Sequence, residues 1–357
     1  MKLRTLSPVH VGSGEKYTTI DYVCEAGKLY VIDKRRLQRK LESRRLMERF
    51  IGLVKSVGSV DIGRFLRDNG VAPAEVASFV IPVKHHIRGV ISIAINSQGR
   101  LYVPGSSIKG AIRTAYAYCK MSEVNDPDGR ILRTMMNVGR GRREIKPKEV
   151  FDKSGVLREI FAKEATKRKD VPHYDKMRSI EVSDSGFVSE ADIGIYTLHR
   201  VGVRRAGVPM NVEAITPGVE LELEVRFTPE VGVGDVIDTP EKLCRLVNEF
   251  ARKVVSIEVG LINRYGVDEV VRFYKELANE LDGLEPNKCI MRVGFGKTFW
   301  DQTILPYFWE DKRFMGQFFS EMRRRVWRRG EGEPATIWCY VEDNVPKGVL
   351  GWVKLCF

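Results

Sequence analysis

Residues 219–227, VELELEVRF, alternate five apolar side chains (Val219, Leu221, Leu223, Val225, Phe227) with Glu220, Glu222, Glu224 and Arg226. A period of two puts successive side chains on opposite faces of a strand, so this segment needs one dry face and one wet one. A sheet of that kind is antiparallel and must be covered on its dry side. The covering is present in the sequence: helical periodicity runs over 241–265 and 268–281, and Phe314, Phe318, Met322 and Val326 recur four apart. Strand patterns join them in the first 33 residues, in GVISIAI and RLYVP around a turn at 96–99, in RSIEVSDSGF and DIGIYTLHRVG, and in CIMRVGFGK, IWCYVE and LGWVKLCF. The expected class is α+β, two ferredoxin-like (RRM-like) domains with helical insertions and glycine-rich loops. The expected division is 1–205 and 206–357. The first domain carries insertions near 34–80 and 122–178, and the second a glycine-rich loop near 294–297.

Fifty-nine Lys and Arg against 47 Asp and Glu give a formal charge of +12, which favours an anionic partner. The six cysteines are scattered without a CxxC pair and the five histidines form no ligand set. The reading is therefore of reduced thiols in a cytoplasmic protein with no metal and no cofactor. No apolar run approaches the ~18 residues of a membrane span.

Three glycine stretches follow strand patterns and carry cations. In YVPGSSIKGAIRTAY, Gly105 and Gly110 have the spacing of a phosphate-binding loop, but Ala111 and Ile112 stand where Lys and Ser or Thr would hold phosphates and magnesium. An NTPase is not expected on that ground. A helix expected over 108–119 would still point its positive end at an anion, with Ser106 and Ser107 as caps or donors and Lys109 and Arg113 one turn apart. In LSPVHVGSGEK, Gly12, Ser13 and Gly14 lie between His10 and Lys16, and the stretch reads as a turn. In MRVGFGKTFW, Gly294 and Gly296 lie between Arg292 and Lys297. Each alone reads equally as a hairpin turn that needs glycine. Three together fit an extended polyanion better than a small metabolite.

VGRGRREIKPK gathers Arg140, Arg142, Arg143, Lys146 and Lys148; it serves as an interaction arm or as a solvated loop. RRRVWRR, with Arg323, Arg324, Arg325, Arg328 and Arg329 around Trp327, is either a stacking site or a helix end favoured by cations. His10 has the titration range of a general base, although no second histidine or tyrosine stands in its turn as general acid.

The phrases SPVHVGSGEKYTTIDYV, YVPGSSIKGAIRTAY, MRSIEVSDSGF, VEAITPGVELELEV, MRVGFGKTFW and LGWVKL occur in this order over nearly the whole chain. In this the chain resembles the RAMP proteins of CRISPR–Cas systems, above all the fifth-subunit family of the type III-A Csm effector. The resemblance implies two RRM-like domains and a place capping the filament of backbone RAMP subunits, beside the small helical subunit. It also implies a hold on the 3′ part of the CRISPR RNA and a role in its trimming, with a host nuclease as a further partner and no catalytic residue of its own. The implied RNA-backbone contacts fall at His10, Gly12 and Ser13, at Ser106, Ser107, Lys109 and Arg113, and at Gly294, Gly296 and Lys297. Lys16, Arg140, Arg142, Arg143 and Arg292 are the adjoining cations. Related backbone subunits cut RNA with an aspartate after their first strand. Asp21 lies in a comparable region here, followed by Tyr22 and Val23 rather than Asn-Pro, so the resemblance assigns it no catalytic role. An endoribonuclease using His10 or Asp21 is the competing expectation. Neither half shows the solvent-facing aromatic signature of single-strand RRMs, so binding is expected through backbone and shape.

Overall fold

The computed structural model describes residues 1–56, 60–138, 147–161, 175–202, 206–228, 236–325 and 336–357. The chain opens with β1 Lys2–Thr5, β2 Gly12–Tyr17, β3 Tyr22–Glu25 and β4 Lys28–Ile32, followed by α1 Lys34–Ser43, α2 Met47–Ser56, α3 Ile62–Asp68 and α4 Pro73–Val76. Next come β5 Ala77–Pro82, β6 Ile91–Ala94, β7 Asn96–Ser97 and β8 Arg100–Leu101, then α5 Gly105–Cys119, α6 Pro127–Val138, α7 Pro147–Lys153 and α8 Val156–Phe161. The strands β9 Ile180–Val182, β10 Ile193–Gly202, β11 Ala206–Ile215, β12 Glu220–Glu222 and β13 Val225–Phe227 lead to α9 Pro240–Ile262 and α10 Asp268–Asp282. β14 Lys288–Arg292, α11 Lys312–Arg325, β15 Thr336–Glu342, β16 Val345–Val349 and β17 Trp352–Cys356 complete the chain.

The mixture of helix and antiparallel strand is the expected α+β class. A four-stranded sheet has the order β12-β1-β17-β14, and a six-stranded sheet the order β16-β15-β10-β11-β6-β2. Every pairing in them is antiparallel except β11 with β6. The four-stranded sheet ties Leu3 to Leu221 on one side and to Leu355 on the other. The division expected at 205/206 falls between β10 and β11, which pair from Ile193↔Ile215 to Arg200↔Ala206. A cut there would separate hydrogen-bonded neighbours, and both sheets draw strands from each side of it.

The alternation in 219–227 is realised in burial: Val219, Leu221 and Leu223 are buried and the intervening glutamates exposed. It is not one strand, however. β12 pairs with β1, whereas β13 pairs with β9, Arg226 opposite Glu181. The handover lies at Glu224, whose amide donates to Ser183 Oγ at 2.9 Å and whose carbonyl accepts from Ser183 N at 2.9 Å.

α9 starts at a Thr239 cap that accepts from Lys242 N, with Pro240 in its first turn, and lays Val247, Ala251 and Val254 into the main core. The insertion at 34–76 forms α1 to α4 around a separate small core of Leu37, Leu41, Phe65 and Leu66, with Phe50 and Leu53 packed on it. Its apolar spacing belongs to two helices, divided where Arg45 adopts φ +58°. The stretch HVGSGEK, expected as a turn, is instead the edge strand β2, bulged between Gly12 and Lys16 where it pairs with β6. None of the described helices is long and apolar enough to cross a membrane.

Candidate nucleic-acid interface

The turn after β14 is built on a buried charge cluster. The Arg292 side chain is 1% exposed. Its Nη1 donates to Asp301 Oδ2 at 2.9 Å and lies 3.3 Å from both Glu258 oxygens, while Nε donates to Leu350 O at 2.8 Å. Asp301 Oδ2 also accepts from Thr298 N at 2.9 Å, and the hydroxyls of Thr298 and Tyr274 donate to Glu258. Burial, reinforced by the Asp301 charge, raises the Glu258 carboxyl above its ordinary range. Arg292 was expected on the polyanion. It is instead the staple that holds 293–301 against α9.

The glycines of this turn are needed for approach as well as conformation. A Cβ on Gly294, at φ +68°, would stand 2.3 Å from the His10 carbonyl, to which Phe295 N donates at 2.7 Å. A Cβ on Gly296, at φ +90°, would meet Leu350 Cβ at 3.0 Å. Lys297 leaves this rigid frame with no ion pair or hydrogen bond at its ammonium among the described residues. Burial lowers its pKa from the usual lysine value, against the Asp301 charge that raises it.

The second glycine stretch is organised differently. α5 begins at Gly105, one turn before the expected start, because the segment 182–185 wraps its end. Gly105 N donates to Asp184 Oδ1 at 2.8 Å, and Val103 N donates to Ser185 Oγ at 2.8 Å. The anion at this helix start is thus the chain's own carboxylate. Lys109 Nζ donates to Ile180 O at 2.7 Å. Arg113 Nη1 pairs with Asp175 Oδ2 at 2.6 Å, and its guanidinium lies 3.6 Å over the Phe161 ring. Ser106 is exposed and Ser107 half-buried.

Ser106, Ser107 and Gly110 on α5 and Gly294, Gly296 and Lys297 after β14 line one groove of about 1050 Å³. Arg113 and Phe161 also border it, as do Arg200 on β10 and Trp338 on β15. Hydroxyls, a free ammonium and an indole face the same space, a donor set suited to a sugar–phosphate chain.

A family model described as the RAMP superfamily matches residues 2–299. The chain belongs to the RAMP superfamily. It is similar to the CRISPR system Cms protein Csm5 of Methanocaldococcus jannaschii, 25% identical over a 392-residue alignment that spans 99% of this chain and 88% of that one. It is also similar to Csm5 of Streptococcus thermophilus, 33% identical over 129 residues, 32% of this chain and 36% of that one. A chain in the cryo-EM structure of the Csm–crRNA–target RNA ternary complex of a type III-A CRISPR–Cas system overlays with a TM-score of 0.74 at 22% identity, over 99% and 98% of the two chains. The crystal structure of T. onnurineus Csm5 overlays with a TM-score of 0.68 at 23% identity, over 99% and 100%. These overlays establish a shared fold.

In this RAMP chain the second and third stretches share the groove, and the first reaches the third through the His10–Phe295 bond. His10 itself is buried; its Nδ1 lies 2.6 Å from Glu213 O, and as that carbonyl only accepts, Nδ1 carries the proton. Burial lowers the His10 pKa, the bond to Glu213 opposing. Gly12, Ser13 and Lys16 are exposed along β2. Ser13 Oγ donates to Ile93 O at 3.1 Å. Asp21 is held locally, Oδ2 accepting from Thr18 N at 2.9 Å and Thr18 Oγ1 at 2.8 Å, with Lys34 3.4 Å from Oδ1. Arg140, Arg142, Arg143 and Lys146 lie outside the described residues, as do Trp327, Arg328 and Arg329 and the side chains of Lys148 and Arg323 to Arg325. Arg200 and Trp338 were missed. They are 138 positions apart in sequence, and only the β10–β15 register, which sets them opposite each other, makes them neighbours.

Proposed function

We propose that this RAMP protein is a CRISPR RNA-binding subunit of a type III-A Csm complex. It caps the filament of backbone subunits beside the small helical subunit, holds the 3′ part of the CRISPR RNA, and supports trimming of that end by a host nuclease in the cytoplasm. The reading assigns it no chemical step. The two principal sheets are read as its ferredoxin-like units, interleaved through the strand pairings described above. The observation that carries the reading is the groove in which Ser106, Ser107 and Lys297 converge, on a chain similar to Csm5 proteins along nearly its full length. RNA phosphates lie against Ser106, Ser107, Lys297 and the backbone at Gly294 and Gly296. Gly12, Ser13 and Lys16 on the exposed edge strand extend the path, with Lys109, Arg113, Arg292 and His10 holding its walls. Such contacts ignore base identity, which suits a guide read by base pairing.

The test is fluorescence anisotropy of the full chain with unrelated single-stranded RNAs over a range of salt. The expected outcome is similar affinity for each sequence and a steep loss with salt. Absence of RNA binding at low salt contradicts the reading, as does cleavage of labelled CRISPR RNA that His10→Ala or Asp21→Ala abolishes.

A further inference from the structure

The groove holds a flat surface as well as phosphate donors. Arg200 and Trp338 are directly opposed on β10 and β15, and the guanidinium carbon lies 4.8 Å from the indole centroid. The Phe295 ring, carried by the same turn as Lys297, stands 5.7 Å from that indole at 50°. The neighbours of Trp338 on β15, Ile337 and Cys339, are buried toward the main core at 5% and 0% exposure. Trp338 therefore belongs to the other face of the sheet, where it is only half-buried and borders the groove. Arg200 is exposed, and among the described residues its side chain makes no ion pair or hydrogen bond. A guanidinium over an indole, both bordering the groove, offers a platform for a second planar π system.

We propose that the Arg200–Trp338 pair stacks one unpaired base of the RNA whose phosphates lie along Ser106, Ser107 and Lys297. This rests on the RNA-binding reading and adds to it a specific preference for single strands, since a base locked in a duplex is not free to turn into the groove. The stacking tolerates any base, because every base has a π face. It places in this groove the aromatic contact whose usual sequence signature is missing.

The test needs no substitution in its first arm. A single abasic nucleotide is moved along a single-stranded RNA just long enough to fill the groove, so that its register is fixed, and affinity for the wild-type full chain is read by anisotropy. Removal of the stacked base weakens binding by about 5- to 100-fold at one register and little elsewhere. The second arm repeats the scan with Trp338→Leu and Trp338→Phe, their folding checked by circular dichroism. Trp338→Leu loses affinity for intact RNA by a similar factor and no longer responds to the abasic site, whereas Trp338→Phe keeps most of the response. Duplex RNA binds the wild type and Trp338→Leu equally. A flat abasic scan overturns the stacking proposal, as does a positional penalty that persists in Trp338→Leu. Either result leaves intact the phosphate contacts, which the salt dependence reports. Displacement of the RNA by a micromolar free mononucleotide would make the platform a small-ligand site and overturn the proposal. A chain that binds no RNA defeats the RNA-binding reading itself.

Discussion

At the start of α5, the glycine and cations of PGSSIKGAIR are turned inward. Asp184 accepts from the Gly105 amide, Lys109 from the same helix binds the Ile180 carbonyl, and Arg113 pairs with Asp175. After β14, the glycines of VGFGK also pack against backbone, but there Arg292 takes the direct contacts of Glu258 and Asp301, and Lys297 is left with an ammonium free of any ion pair among the described residues. Both stretches combine glycine, cation and a preceding strand. What separates them is whether the chain's own carboxylate makes the contact: Asp184 does at the first, whereas Asp301 acts on Lys297 only at a distance, with no ion pair among the described residues. An anion-binding pattern thus marks where negative charge belongs without saying whose charge it is.

The largest expected effects test how far each stretch is fixed by its surroundings. Arg292→Met leaves Glu258 and Asp301 buried without their counter-ion, and costs about 3–5 kcal/mol in denaturant unfolding. Gly105→Ala places a methyl 2.2 Å from the Val182 carbonyl and 2.5 Å from that of Ser183, backbone atoms that cannot step aside. It costs about 3 kcal/mol or more. Gly110, in the same helix, has open space at its Cβ position, so Gly110→Ala stabilises by about 0.5–1 kcal/mol. Equal thermal shifts for the two alanines would break the account of why the motif carries glycine.

The next effect is electrostatic and lies beneath the edge strand β2. Glu213 is fully buried, Oε2 accepts from Ala94 N at 3.0 Å, and Oε1 has no partner among the described residues. Burial pushes its carboxyl up to about 7, against the Ala94 bond that lowers it. The folded state therefore holds a proton that the unfolded state releases near its ordinary carboxyl value. That contribution is complete below the unfolded pKa and is lost as pH rises through about 7. Glu213→Gln keeps an acceptor for Ala94 and removes the charge. Relative to wild type it gains about 1–3 kcal/mol between pH 5 and pH 8, read as a flatter melting temperature across that range. Glu258 shifts in the same direction and leaves a residual slope. Asp184→Ala, which removes the internal anion at α5, costs about 0.5–2 kcal/mol.

Much of the helical framework was legible because its periods are local. The pattern over 241–265 is realised as α9 and the short 3-10 turn after it, and the pattern over 268–281 as α10. The alternation in VELELEVRF named Val219, Leu221 and Leu223 as buried, while Val225 and Phe227 are only half-buried; it concealed the handover at Glu224, since alternation states which face is dry and not which strand lies alongside. β2 read as a turn because Gly12 and Gly14 are turn residues, whereas a sheet edge accepts them at a bulge. In the groove, Ser106, Ser107, Gly294, Gly296 and Lys297 were visible as motifs. The inward turn of Lys109 and Arg292 was not, because their partners Ile180, Glu258 and Asp301 are placed by the fold. Arg200 and Trp338 carried no local signal at all.

The difference between the two stretches is tested most directly by the salt dependence of RNA binding in Lys297→Ala and Lys109→Ala. Lys297→Ala lowers affinity for unrelated single-stranded RNAs alike and reduces the log–log slope by about 0.7, one phosphate contact, while Lys109→Ala leaves the slope unchanged. A slope unaltered in Lys297→Ala but reduced in Lys109→Ala would contradict the account.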